Sequence, residues 1–141
     1  MSADTQTKIL VIDDEADVLN FITYNLQKDG YKIETAENGR EGLEKAHQFK
    51  PDLILLDVMM PDLDGIEVCR QLREKSEFDQ TMIAFLTARG EDYTQVAALD
   101  HGGDDFIVKP IKPNVLRSRL NALLRRTKRE HEEEPDRKSV V

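Results

Sequence analysis

Several polar residues directly follow short apolar runs of the chain, and their side chains are of kinds that can bind a metal ion or react with a phosphoryl group. Asp13 and Asp14 follow the first run, Asp57 the third, Thr87 the fourth and Lys109 the fifth. Clustered carboxylates repel one another unless a hard divalent cation lies among them. Magnesium suits such a cluster best, because it takes one or two carboxylates, keeps several waters and uses phosphate oxygens as further ligands.

The same residues predict a reaction if they meet beside a metal ion. Asp57 then has the chemistry of a nucleophile that attacks a phosphoryl group and forms an aspartyl phosphate. Charge on the transferring oxygens needs partners, and the Lys109 ammonium and the Thr87 hydroxyl are donors of the right kind. Ala88, directly after Thr87, is small enough to leave a path to the site.

Alternation of apolar runs with amphipathic segments predicts the elements that bring these residues together. The runs are KILVI (8–12), YKIETA (31–36), DLILL (52–56), MIAFL (82–86) and FIV (106–108). Apolar residues at helical spacing follow each run, at 18–26, 43–46, 66–72, 96–99 and 116–124. Five strand-then-helix units predict an α/β fold, a doubly wound five-stranded parallel sheet with five helices. The polar alternation in YKIETA marks an edge strand, and the carboxyl ends of the strands form the ligand crevice.

Composition narrows the class of protein. The chain has 141 residues, 39% hydrophobic and 34% charged, which fits one globular domain with a tail. No apolar run approaches the roughly 20 residues of a membrane span, and the polar N-terminus lacks a secretion signal. Cys69 is the single cysteine, so we expect a reducing cytoplasm. The net charge of -8 argues against direct nucleic-acid binding by this chain.

The motifs VIDDE, LILLDVMMPDLDG, FLTA and GGDDFIVKP resemble the signature of response-regulator receiver domains over residues 7–126. The resemblance implies a flavodoxin-like sheet in strand order 2-1-3-4-5. After Arg126 the sequence has no apolar periodicity, so residues 127–141 are predicted to be a charged linker or disordered tail.

The resemblance also implies a role for each site residue. Asp57 would be the phosphoacceptor, with Thr87 and Lys109 in contact with the phosphoryl group. The Mg²⁺ ligands would be Asp13, Asp14, Asp57 and the carbonyl of Met59. Phe106 would turn inward when Thr87 moves, although a Phe in a short strand is as readily a core residue. The family often has Tyr at this place, so a switch based on Phe must depend on burial alone.

Simpler interpretations compete with these roles. Asp13, Asp14 or Thr87 could cap the helix that follows, and Asp57 could be a turn residue. Lys109 could be a surface lysine, although Pro110 after it suggests a fixed, possibly cis bond. Other polar residues are assigned no site role. Asp62 and Asp64 have the pattern of turn residues; His47, His101 and His131 are expected at the surface; and the basic residues Arg125, Arg126, Lys128 and Arg129 favour a helix C-terminus.

Together these observations favour a phosphorylation-dependent switch in a two-component phosphorelay rather than an enzyme. A sensor histidine kinase would be the phosphoryl donor, with Mg²⁺ as the cofactor. The LRR sequence at 124–126 is similar to the end of the receiver in regulators with a winged-helix DNA-binding output domain; such a domain would be a partner outside these 141 residues. Alternatives are a Mg²⁺-dependent phosphatase or phosphotransferase with an aspartyl intermediate, and a stand-alone receiver that acts on protein partners. No glycine-rich nucleotide motif occurs.

Dimerisation through the fourth and fifth predicted helices is a further expectation from the resemblance. Winged-helix relatives usually pair a basic residue on the fourth helix with an acidic residue on the fifth, but Gln95 and Val115 stand at those places. Asp104, Asp105 and Arg119 are left as candidates for such a network.

Overall fold

Five parallel strands form one sheet at the centre of the protein. The structure is a computed structural model that describes residues 6–88 and 99–140, with 127–140 by their backbone alone. The strands are β1 (Lys8–Ile12), β2 (Lys32–Ala36), β3 (Leu53–Asp57), β4 (Met82–Thr87) and β5 (Asp105–Val108). Their order is β2-β1-β3-β4-β5, so the predicted sheet and its order are confirmed.

Helices cover both faces of this sheet. Those that the described residues form are α1 (Ala16–Lys28), α2 (Gly39–Phe49), α3 (Gly65–Arg73) and α4 (Pro113–Val140), with a 3-10 turn at Ser76–Phe78. The helix predicted around residues 96–99 falls largely outside the described residues; Leu99 and Asp100 are helical. No helix in the described parts of the chain combines the length and the apolar character that crossing a bilayer requires.

The last helix, α4, differs in length from the helix predicted at 116–124. Its backbone is helical through 127–140, the segment predicted to be a charged linker or tail. The placement of a domain boundary near residue 126 stays a prediction.

The two faces of the sheet carry separate cores, which explains the continuous apolar runs. Alternate residues of the inner strands point to opposite sides, and central parallel strands are buried on both. Leu10, Ile54 and Phe85 belong to the core on the α2 and α3 side. Their neighbours in sequence pack against α1 and α4; they include Ile9, Val11, Leu53, Leu55, Ala84 and Leu86. β2, by contrast, is mostly exposed or half-buried, as an edge strand is.

Candidate functional site

Acidic side chains converge where β1 and β3 end. Ile12 pairs with Leu56 in the sheet. Asp13 follows Ile12 and Asp57 follows Leu56, so the two aspartates lie side by side. Carboxylate oxygens of Asp13, Asp14 and Asp57 all lie within 4.8 Å of one another. Asp13 and Asp57 are buried, whereas Asp14 is exposed. The cluster is therefore open to solvent on one side only, as a site that must admit an ion or a substrate requires.

One ammonium lies among these acids. The Nζ of Lys109 is 3.1 Å from Asp13 Oδ2 and 3.5 Å from Asp57 Oδ1. It is closest to Glu15, whose Oε1 accepts a hydrogen bond from it at 2.8 Å. Lys109 follows β5, and its backbone N–H donates to the Thr87 carbonyl at 2.7 Å. The Lys109–Pro110 peptide is cis, the geometry that Pro110 suggested.

Two buried oxygens at the site lack a hydrogen-bond donor within the described part of the chain. They are Thr87 Oγ1, at the end of β4, and Asp13 Oδ2, which is near the Lys109 ammonium but receives no hydrogen bond of acceptable geometry. Leaving a buried polar group unpaired costs about 1–3 kcal/mol. Such groups call for a partner that protein atoms do not supply. A phosphoryl oxygen would satisfy the hydroxyl, and a cation would satisfy the carboxylate.

Burial shifts the protonation of these groups. Desolvation, the Asp13 charge and the Asp14 hydrogen bond together raise the pKa of Asp57 from 3.8 to about 7, although Lys109 and the Met59 N–H oppose the shift. Burial likewise raises the pKa of Asp13, against the Glu15 N–H bond and the Lys109 charge. For Lys109, burial alone would lower the pKa, but the Glu15 hydrogen bond and the Asp57 and Asp13 charges outweigh it and raise the pKa. A cation among the acids would favour their ionised forms.

The loop after β3 is shaped around Asp57. Met59 N–H donates to Asp57 Oδ1 at 3.3 Å, while the Met59 side chain is 64% exposed. At the start of α3, a Cβ on Gly65 would overlap the Asp57 carbonyl, so only glycine allows this approach. Asp62 has φ 69, in the left-handed region, and Asp64 caps α3 by accepting from Glu67 N at 2.9 Å. Asp62 and Asp64 therefore have local backbone roles, in agreement with the sequence analysis.

Neither Asp13 nor Asp14 stands at the N-cap position of α1. Glu15, not either aspartate of the pair, stands at the N-cap position of α1, and Asp13 Oδ1 accepts a hydrogen bond from Glu15 N at 2.8 Å within the loop. The donor set of three clustered carboxylates fits a hard divalent ion such as Mg²⁺. The Met59 carbonyl as a further ligand stays a prediction.

Comparison with known proteins agrees with this geometry. The family model described as the response regulator receiver domain matches residues 9–121. The chain belongs to this family. Among curated proteins, this receiver is 48% identical over 120 residues to the alkaline phosphatase synthesis transcriptional regulatory protein PhoP of Bacillus subtilis, covering 85% of this chain and 49% of the relative. It is 48% identical over 126 residues to the transcriptional regulatory protein ResD of the same organism, covering 89% and 51%.

Solved structures give the same answer for the fold. The chemotaxis protein CheY4 of Vibrio cholerae superposes with a TM-score of 0.80 at 32% identity, covering 84% of this receiver and 99% of that chain. The curated relatives are longer than this chain, which spans about half the length of each. They share the receiver part with this chain.

Phe106, the predicted switch residue, lies in β5 opposite Phe85 of β4. Its side chain is half-buried and packs against the core on the α2 and α3 side. It also lines a groove of about 220 Å³ with Pro110, Val115 and Arg119. Phe106 thus touches both the core and the surface, and its movement stays a prediction.

The charged residues considered for a dimer interface pair within the receiver. Arg119 Nη1 lies 3.5 Å from Asp105 Oδ1, and Arg73 Nη2 lies 2.9 Å from Asp104 Oδ2. Val115 is 38% exposed on α4, and Gln95 lies outside the described residues.

Sequence reasoning missed Glu15 as a partner of Lys109. The two residues are 94 positions apart. The only signal was that Glu15 follows the aspartate pair at the end of the first strand, the edge where Lys109 was expected.

Proposed function

We propose that this receiver is a phosphorylation-dependent switch of a two-component phosphorelay, in which Asp57 accepts a phosphoryl group from a sensor histidine kinase. One observation carries the proposal: the buried Asp57 carboxylate has two further carboxylates within 4.8 Å and the Lys109 ammonium at 3.5 Å. This arrangement holds the nucleophile, the ligands of a divalent ion and a cation for the transferring group at one place.

Phosphoryl transfer to Asp57 exchanges one bond to phosphorus for another. An Oδ of Asp57 forms a bond to phosphorus while the bond from phosphorus to the phosphohistidine nitrogen breaks. The electron pair of that bond stays on the imidazole, which takes a proton from solvent. Bound Mg²⁺ supplies positive charge to the transferring oxygens. Asp13, Asp14, Asp57 and the Met59 carbonyl would hold the ion.

Two hydrogen-bond donors of this chain would bind the phosphoryl group once it is on Asp57. Lys109 donates to one phosphoryl oxygen, and the Thr87 hydroxyl, which has no protein partner in the described structure, donates to another. When Thr87 moves to make that bond, it vacates space at the end of β4, and Phe106 on the neighbouring strand turns into it. The new charge at Asp57 is thereby converted into a change at the surface near β5 and α4.

The partners follow from the same role. The relatives PhoP and ResD are named transcriptional regulatory proteins and are about twice as long as the matched region. We therefore place a DNA-binding output domain after α4, outside this chain, and assign the acidic receiver no nucleic-acid contact of its own. We infer that the phosphorylated form dimerises through α4 and the fourth helix predicted from the sequence, which falls largely outside the described residues. The cytoplasm is the expected compartment, since it keeps a thiol such as that of Cys69 reduced.

Incubation with acetyl phosphate and Mg²⁺, followed by measurement of the intact mass, tests whether Asp57 is the phosphoacceptor. We expect one added phosphoryl group on the protein and none on Asp57→Asn. Asp62→Asn is the matched control, because Asp62 is a neighbouring aspartate whose left-handed φ asparagine also adopts. Labelling of Asp57→Asn would show that another residue is the acceptor. Continuous turnover of the donor, many equivalents per chain, would favour a phosphatase or phosphotransferase. Size-exclusion chromatography of the labelled protein reports dimer formation.

A further inference from the structure

Glu15 makes a contact with Lys109 that its position in the fold does not require. It occupies the N-cap position of α1, yet its carboxylate makes no capping hydrogen bond. Its Oε1 instead accepts from Lys109 Nζ at 2.8 Å, closer than the 3.1 Å to Asp13 and the 3.5 Å to Asp57. The ammonium therefore lies nearest to the carboxylate that is furthest out, since the Glu15 side chain is 60% exposed and the aspartates are buried.

Charge balance at the site makes Glu15 a competitor. Asp13 and Asp57 become ligands once a divalent ion is bound, and their negative charge is then largely neutralised by the ion. Glu15 alone, of the three carboxylates around Lys109, is left outside the metal-binding cluster. A phosphoryl group on Asp57 must share the three donors of this ammonium with Glu15 or draw the ammonium away from that carboxylate.

We propose that Glu15 is a positioning residue that draws the Lys109 ammonium toward the exposed rim of the site in the unphosphorylated receiver and competes with the phosphoryl group for it. The inference rests on the proposed function of Asp57 as the acceptor. It assigns to Glu15 a negative effect: the residue weakens the phosphorylated state rather than supporting it.

Beryllium trifluoride, which mimics a phosphoryl group on a carboxylate, provides the test without turnover. Its affinity is measured by calorimetry in the presence of Mg²⁺ for the wild type, Glu15→Gln and Asp17→Asn. Asp17 is the matched control: it lines the same groove as Glu15 and Lys109 and is exposed, but among the described residues it has no ion pair. We expect Glu15→Gln to bind about two- to fivefold more tightly, the range that an exposed ion pair supports, and Asp17→Asn to differ by less.

A second measurement follows the ammonium itself. The ¹⁵N-detected NMR signal of the Lys109 side chain in metal-free protein should shift in Glu15→Gln, with faster exchange of its protons, and stay in place in Asp17→Asn. Equal or weaker binding by Glu15→Gln, or an equal gain in Asp17→Asn, overturns the role of Glu15. If the wild type itself binds no beryllium trifluoride with Mg²⁺, the proposed function fails first.

Discussion

Asp13 and Asp57 present buried carboxylates side by side at the ends of β1 and β3, and the same ammonium, that of Lys109, approaches both. Without a metal ion, two acids share one cation that is also bonded to Glu15. The free receiver is thus built with excess negative charge at its functional edge, and several measurable consequences come from that excess.

Mg²⁺ should stabilise the folded receiver. An ion that binds only the native state adds about 2.7 kcal/mol to the free energy of unfolding at 100 times its dissociation constant. Thermal melting with and without Mg²⁺, at constant ionic strength, measures the effect. Asp13→Asn should be more stable than the wild type in EDTA, because one repelling charge is gone, and should respond little to Mg²⁺. Identical melting of the wild type in both buffers would contradict a metal site.

The stability of metal-free protein should fall as pH rises toward neutrality. The pKa of Asp57 is raised from 3.8 to about 7 in the folded state. Between those values the folded state binds more protons than the unfolded state, so the contribution of Asp57 is fully present below pH 3.8 and is lost as pH rises through 7. Urea unfolding in EDTA across this range should show a smaller pH slope for Asp57→Asn. A slope equal to that of the wild type would show that the Asp57 carboxyl is not perturbed.

Thr87→Val should separate stability from function. Valine has nearly the shape of threonine and suits a strand, and the substitution removes a buried hydroxyl that has no hydrogen-bond partner in the described structure. We expect a gain of about 1 kcal/mol in the free energy of unfolding, with weaker binding of a phosphoryl mimic. Calorimetry and denaturant unfolding measure the two quantities. A loss of stability would mean that the hydroxyl already has a partner in the free protein.

The sheet and the cluster of acidic side chains could be predicted from the sequence for one physical reason. Parallel strands end side by side, so Asp13, Asp14 and Asp57 had to meet once their runs were recognised as strands. The Glu15 contact could not be derived in this way, because it depends on the direction in which a long, exposed side chain turns after its strand ends. The helical backbone of α4 past residue 126 could not be derived either, since the sequence has no apolar periodicity there.

Arg73 should be the more important of two neighbouring arginines on α3. Its guanidinium donates to the carbonyls of Gly102 and Phe78 and to Asp104, which in turn accepts from Ile83 N. Arg73→Lys loses this fixed geometry and should cost about 1–3 kcal/mol. Arg70→Lys is the matched control: in the part of the chain that the structure describes, Arg70 pairs with Glu67 and Glu74 at the surface, so its substitution should leave the melting temperature nearly unchanged. Similar losses in both variants would contradict a special role for Arg73.

The hydrogen bond from Lys109 N–H to the Thr87 carbonyl links the backbones of the two residues directly. Thr87 is paired in the sheet with Val108, the residue before Lys109, so the two side chains that we propose to contact the phosphoryl group stand on adjoining backbone where β4 and β5 end. A displacement of either residue is therefore expected to move the other, so that the two would bind an anion as one rigid unit.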